Sequence, residues 1–175
     1  MTLKAGDTSP DFTATAWDGE QYTLSALRGH KVWLGFFRYA SCPLCNMRVH
    51  HMIERYDALS DAGLRILTVF QSPAESVARY VGKQTPPFPI LCDPGEELYA
   101  LYGLQKSLAG FLAPSNTVGL AKAAKMGYTP GKMEGTKTRI PGDFLIDPQG
   151  QIVDVFHGKN ISEHIPFERI EQFLA

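Results

Sequence analysis

Hydrophobic and polar positions change rhythm along this chain, and each rhythm predicts an element. Val32-Trp33-Leu34-Gly35-Phe36-Phe37 is apolar without polar alternation, which predicts a strand buried on both faces. Beyond Cys42, Val49, Met52, Ile53, Tyr56 and Leu59 recur at the helical period. They predict a helix that runs to about Ala62, with Gly63 as its stop. Leu64 to Phe70 is a second apolar run rich in strand formers. Strand, helix and strand in that order imply a parallel pair joined by a right-handed crossover.

The flanking pattern is shorter in period. Gly6 to Pro10 is turn-like, Phe12 to Trp17 alternates as a strand, and Asp18-Gly19 reads as a hairpin turn into Tyr22-Thr23-Leu24. Leu24 to Leu27 is long enough for one helical turn. Ser72 caps a helix over Pro73 to Val81, with Pro73 at its first position. Gln84 to Pro87 is a loop, Phe88 to Cys92 a short strand, and Asp93-Pro94-Gly95 leads into a helix ending near Tyr102-Gly103. Leu104 to Arg139 holds three apolar helical patches, around Leu108, Leu120 and Met126, broken by prolines and glycines. This stretch reads either as an inserted flap or as a plain surface excursion. Phe144-Leu145-Ile146 is a strand, Asp147 to Gly150 a β-turn, and Ile152 to Phe156 returns antiparallel. A last helix covers Pro166 to Leu174, with Phe167, Ile170, Phe173 and Leu174 inward. The pattern predicts an α/β fold: one domain over 1–175, a central mixed β-sheet flanked by helices, and 104–139 inserted within it.

Composition narrows the function. The 175 residues suffice for one proper core, and 44% hydrophobic with 20% charged residues is ordinary for a globular chain. A net charge of −1 with no basic block argues against nucleic acid or an anionic membrane surface as partner. No apolar run approaches a membrane span, and the N-terminus lacks the apolar core of a signal peptide. Three cysteines fit a reducing, cytoplasmic setting, where a CxxC is catalytic or redox-sensing rather than a static staple.

That CxxC is Cys42-Pro43-Leu44-Cys45. Pro43 stands at a first helical position and Cys42 at the N-cap, so both thiols open one helix and share a face. The free N–H groups and the positive dipole end there favour thiolate, the nucleophilic form. Half a zinc site is the bland alternative. Structural zinc needs four ligands, and the other candidates are Cys92 and the histidines His50 and His51 of the same helix, so no metal is expected. Two small buried apolar residues is the other bland reading. Cys92 itself reads as a buried thiol at a strand end. Arg38 and Arg48 flank the site and are candidates to stabilise the thiolate, while His50 and His51 fall on the solvent side and core edge of the helix.

Several segments together resemble a family. Gly6-Asp-Thr-Ser-Pro-Asp-Phe12, Asp18-Gly19, Leu24 to Gly29, the buried strand, the CxxC, Phe88 to Gly95 and Phe144 to Gly150 are similar to the peroxiredoxin branch of the thioredoxin superfamily. This is the alkyl hydroperoxide reductase and thiol-specific antioxidant family. The resemblance covers all but Leu104 to Arg139. It implies a thioredoxin-like fold with an N-terminal β-hairpin. Peroxiredoxins carry Pro-x-x-x-Thr/Ser-x-x-Cys, and aligning its cysteine with Cys45 puts Cys42 at the hydroxyl residue and Arg38 at the proline. The site is therefore thioredoxin-like on a peroxiredoxin-like body, as in the peroxiredoxin-like group that carries CxxC. The resemblance matches the family's second arginine to Arg139, at a longer spacing. It also places Pro141 at the superfamily's cis-proline, opposite the CxxC.

The expected activity is thiol–disulfide exchange without a cofactor, Cys42 attacking and Cys45 resolving, with Cys42 the more exposed of the two. Arg38, Pro43, Pro141 and Arg139 are the expected supporting residues. The alternatives are a thiol-dependent peroxidase, with Cys45 or Cys42 oxidised to sulfenic acid, and a non-enzymatic redox sensor or partner-binding module. Expected partners are a protein or small-molecule disulfide, or a hydroperoxide, and a thiol donor such as thioredoxin or glutathione. A homodimer is left open.

Overall fold

Five strands build the central sheet, and its middle strand is the apolar run. The structure, a computed structural model, describes residues 2–175. Strand β1 (Thr13–Thr15) and β2 (Gln21–Thr23) form a separate antiparallel hairpin. Its turn uses Gly19 at φ +90°, a left-handed conformation open to glycine. A 3₁₀ turn over Leu24–Leu27 follows. β3 (Lys31–Phe36), helix α1 (Pro43–Asp61) and β4 (Leu64–Phe70) make the expected crossover, and β3 runs parallel to β4 from Lys31↔Leu64 to Phe36↔Val69. Helix α2 (Ala74–Arg79) and a 3₁₀ turn over Val81–Gln84 lead to β5 (Ile90–Cys92), parallel to β4. α3 (Glu97–Leu101) starts where the Asp93 carboxylate accepts from the N–H groups of Glu97 and Leu98, at 3.1 and 2.8 Å. After segment 104–139 come β6 (Gly142–Ile146), β7 (Ile152–His157) and the last helix, Phe167–Leu174. β6 lies antiparallel to both β3 and β7, so the order is β5-β4-β3-β6-β7.

The unbroken apolar run of β3 now has its reason. Successive side chains point to opposite faces, and here both faces are covered. Trp33 and Phe37 join Val49 and Met52 of α1, Phe70 of β4 and Ile170 of the last helix. Val32, Leu34 and Phe36 join Phe12, Tyr99, Tyr102 and Phe144 on the other face. Truncating any of these fully enclosed side chains to alanine removes about 2–5 kcal/mol.

Segment 104–139 folds as α4 (Leu108–Phe111) and α5 (Asn116–Lys125), followed by an irregular strap to Arg139. The third apolar patch is no helix: Met126 closes α5, its N–H reaching the carbonyls of Lys122 and Ala123 at 3.2 and 3.1 Å. Ser107 caps α4 through Gly110 N–H at 2.9 Å, and the Asn116 amide closes the α4–α5 corner by donating to the carbonyls of Gly110 and Phe111.

Two local expectations fail. Ser72 does not cap α2; Pro73 occupies that position, and the Ser72 hydroxyl is drawn into the site described below. The Ile140–Pro141 bond is trans, as is every peptide bond among the described residues. Trans is the lower-energy isomer, and the chain here enters β6 directly, with Pro141 O accepting from Gly158 N–H at 3.0 Å.

Candidate functional site

Both cysteines sit where β3 hands over to α1. Phe37 N–H still bonds Val69 O at 2.8 Å, and Gln71 N–H bonds Arg38 O at 2.9 Å, so the chain leaves the sheet in register. It then turns through Tyr39 and Ala40, with Cys42 N–H on Tyr39 O at 3.1 Å. Cys42 is the N-cap in an extended conformation, and Pro43 occupies the first turn, where its missing N–H costs nothing. Asn46 clamps the corner, its amide donating to Ala40 O at 2.9 Å and Cys42 O at 3.0 Å.

The two thiols are neighbours at the opening of α1, and their titrations are driven apart. The neighbouring Cys45 thiol holds Cys42 down to about 6, helped by the Arg38 charge and the N–H groups of Cys45 and Leu44, against the cost of burial. Burial pushes Cys45 well above the ordinary thiol range, and the neighbouring Cys42 adds to it. Arg38 is 1% exposed, and its Nη1 lies 3.6 Å from Cys42 Sγ. Its guanidinium is flanked by the rings of Tyr39 and Phe111, at 5.0 and 5.5 Å. Burial, with the Cys42 charge nearby, raises the Tyr39 hydroxyl to about 12.

The expected exposure of Cys42 is wrong: Cys42 and Cys45 are each 1% exposed. The strap after α5 covers them. Arg38 Nη2 donates to Lys137 O at 2.7 Å, and Ser41 Oγ donates to Lys132 O at 2.7 Å. Glu134 accepts from the hydroxyls of Ser72 and Ser76, both at 2.7 Å, while Ser72 Oγ accepts from Ala40 N–H. Further along, Thr136 donates through its N–H and hydroxyl to Glu96, and Gln71 also bonds Glu96. Gly131 permits the close approach, since a Cβ there would stand 2.8 Å from Ser41 Cβ and 2.9 Å from the Tyr80 oxygen. α5 packs similarly, with Gly119 against Leu44.

The other sequence candidates divide. Pro43 and Arg38 are at the thiols. Arg139 is 4% exposed and engaged by Glu96 at 2.7 Å and Leu104 O at 2.7 Å, with no hydrogen bond to either sulfur. Against the cost of burial, the two hydrogen bonds from Thr136, then those from Arg139 and Gln71, hold Glu96 down at about 2. Arg48 points away from the site: it donates to Ile165 O at 2.6 Å and lies over Phe167 at 4.0 Å, because its place in the second turn of α1 directs it toward the last helix. His50 pairs with Glu54 at 3.4 Å on the outer face. Cys92 is half-buried against the apolar core, and burial raises it to about 11. Among the described residues no three His, Cys, Asp or Glu side chains gather as a metal would require. Tyr39, Asn46, Ser72 and Glu134 are the residues that sequence reasoning missed. Glu134 alone left a signal, as the one acid within 104–139.

A mixed sheet in this order, with two thiols at the N-terminus of the helix after its central strand, defines a redox protein of the thioredoxin superfamily. Residues 5–155 match the AhpC/TSA family, and the chain belongs to it. Peroxiredoxin Bcp of Escherichia coli is 28% identical over 164 residues, covering 93% of this chain and 90% of that one. Thiol-disulfide oxidoreductase ResA of Halalkalibacterium halodurans is 30% identical over 103 residues, 58% of each chain. The crystal structure of peroxidoxin BcpB from Mycobacterium tuberculosis superposes with a TM-score of 0.72 at 20% identity, covering 98% of this chain and 96% of that one. The chain is accordingly an oxidoreductase of the peroxiredoxin and thiol–disulfide oxidoreductase group. No helix among the described residues is long and apolar enough to cross a membrane.

Proposed function

We propose that the protein exchanges disulfides through Cys42 and Cys45. The observation that supports this best is geometric: two thiols open α1, and the buried Arg38 guanidinium lies 3.6 Å from Cys42 Sγ, where it favours the thiolate. Cys42 as thiolate attacks one sulfur of a protein or small-molecule disulfide and displaces the other as thiolate. The mixed disulfide no longer carries the Cys42 charge, so Cys45 loses its proton more readily. Cys45 then attacks Cys42 Sγ, closing the internal disulfide and releasing the second substrate thiol. Two electrons pass to the substrate, and a thiol donor such as thioredoxin or glutathione returns them. A reducing cytoplasm suits such a cycle.

A second reading is favoured by the relative named peroxiredoxin. Cys42 thiolate attacks a hydroperoxide oxygen, becomes sulfenic acid and releases an alcohol or water. Cys45 then condenses with it, expelling water. This reading gives the attack on peroxide to Cys42, the sulfur beside the Arg38 guanidinium at 3.6 Å, and the condensation to Cys45.

Two assays on one preparation with one dithiol donor separate the readings: insulin-type disulfide reduction, and hydrogen peroxide consumption. Disulfide reduction is expected to be the faster and to vanish in Cys42→Ser. Fast peroxide turnover with no disulfide reduction overturns the first reading. Inactivity in both assays, with a disulfide still forming, moves the protein to the sensor or binding-module class.

A further inference from the structure

A cavity of about 450 Å³ opens beside the CxxC, within the size range of small-molecule pockets, about 300–1,000 Å³. Ser41, which precedes Cys42, and Asn46, which follows Cys45, belong to its lining. Tyr80 and Tyr128 are among its lining, and Arg79 and Lys83 are its charged residues. Among the described residues neither cation takes part in an ion pair. The wall is held in place by a chain of hydrogen bonds. Tyr128 donates to Gln84 Oε1 at 3.0 Å, Gln84 donates to Asn46 O at 2.9 Å, and Asn46 holds the Cys42 corner.

The charge around this cavity is one-sided. The charged residues of its lining are Arg79 and Lys83, with no acid among the lining residues. Glu134 is consumed by Ser72 and Ser76, and Arg139 by Glu96. Glu54, whose charge reaches Tyr128, faces His50. A cleft lined by one sign of charge concentrates small ions of the other.

We propose that this cavity binds a low-molecular-weight thiol carrying carboxylates, of di- or tripeptide size, and that this thiol reduces the Cys42–Cys45 disulfide. The second clause rests on the disulfide-exchange reading above. Arg79 and Lys83 take the carboxylates, the tyrosine rings cover the backbone of the ligand, and its sulfur lies toward Ser41. Gly131 lines the cavity and the next residue, Lys132, holds Ser41 beside Cys42, so the Ser41–Lys132 bond opens during delivery. The ligand thiolate attacks Cys42 Sγ, the internal disulfide breaks, and Cys45 leaves with the electron pair and takes up a proton. A second molecule attacks the ligand sulfur, releasing the symmetrical ligand disulfide and leaving Cys42 as thiolate. Two thiols supply two electrons; of their two protons, one ends on Cys45 and one in solvent.

The test uses reduced glutathione as the anionic thiol and 2-mercaptoethanol as the neutral one, each reducing the preformed disulfide of the full chain. The doubly substituted Arg79→Ala/Lys83→Ala protein loses only exposed side chains, so its fold is kept. The ratio of the glutathione rate to the 2-mercaptoethanol rate is expected to fall at least tenfold in it, and to fall with added salt in the parent protein. An unchanged ratio overturns the proposal. A titration that needs no redox step completes the test: S-methylglutathione added to the Cys42→Ser/Cys45→Ser protein, followed by amide NMR. Shifts confined to the surroundings of Tyr80, Gln84 and Tyr128, and lost with Arg79 and Lys83 substituted, are expected. Absence of binding at millimolar ligand rejects the site even if the protein exchanges disulfides. Binding by a protein inert in exchange keeps the site and rejects that reading instead.

Discussion

One guanidinium joins Cys42 to the strap that hides it: Arg38 Nη1 lies 3.6 Å from the sulfur of Cys42, and Arg38 Nη2 donates to Lys137 O at 2.7 Å. A buried cation needs compensation, and a thiolate with a carbonyl supplies it. The same contact favours the anion of Cys42, the nucleophilic form of a thiol.

Arg38→Met should therefore raise the Cys42 titration from about 6. The measurement is the rate of iodoacetamide modification of the reduced protein against pH. The parent rate rises through about 6 and levels off near neutrality, since the thiolate exists above its pKa and is lost below it. In the variant the midpoint moves toward the ordinary thiol range and the rate at pH 7 falls. An unmoved midpoint removes Arg38 from the site's electrostatics.

The same reagent at neutral pH should label Cys42 and spare Cys45, which burial and the neighbouring charge keep protonated. Peptide mass spectrometry locates the label. Preferential labelling of Cys45 would reverse the roles assigned to the two thiols.

Glu134→Ala breaks two charge-assisted hydrogen bonds, each worth about 1.5–3 kcal/mol at most. Loss of this fastening is local, so the melting temperature should move little. Modification of Cys42 should quicken several-fold, and limited proteolysis should cut between 129 and 138. Unaltered modification kinetics with an unaltered cleavage pattern would mean that Glu134 does not hold the strap.

Asp143 is 0% exposed and accepts from Trp33 Nε1 and Ile165 N–H, both at 2.9 Å, and pairs with His164 at 3.2 Å. Burial opposes its charge, but His164 and then Arg48 outweigh it, and the pKa lies below the usual carboxylate value. Its stabilisation is present above that usual value and is lost as pH falls through the lowered one. Asp143→Asn should cost about 3–5 kcal/mol at pH 7 by urea unfolding, with a gap to the parent that narrows in strong acid. A gap independent of pH would deny the carboxylate that role.

The parts of this fold that could be read from sequence are those written in local chemistry. The buried strand from Val32 declares itself because both its faces are apolar, and Pro43 and Gly63 mark the ends of α1 within a residue or two. Arg38 was readable because it lies four residues before Cys42. The strap was not, because Lys132 and Lys137 reach the site through backbone oxygens, which every residue type possesses. Without the strap Cys42 looks exposed, as an N-cap residue usually is. Arg48 was misplaced for a related reason: its partner, Ile165 O, is 117 residues away. Ser72 had two uses, and the distant one prevailed over the helix cap.

Because two of the fastenings end on main-chain oxygens, the side chains of Lys132 and Lys137 are spectators to closure and point into solvent. Their identities are free to vary without loosening the cover. Charge and bulk at the doorway to the thiols can thus be rewritten while the door itself stays hung. That separation makes the two positions the natural places to retune which molecules this protein admits.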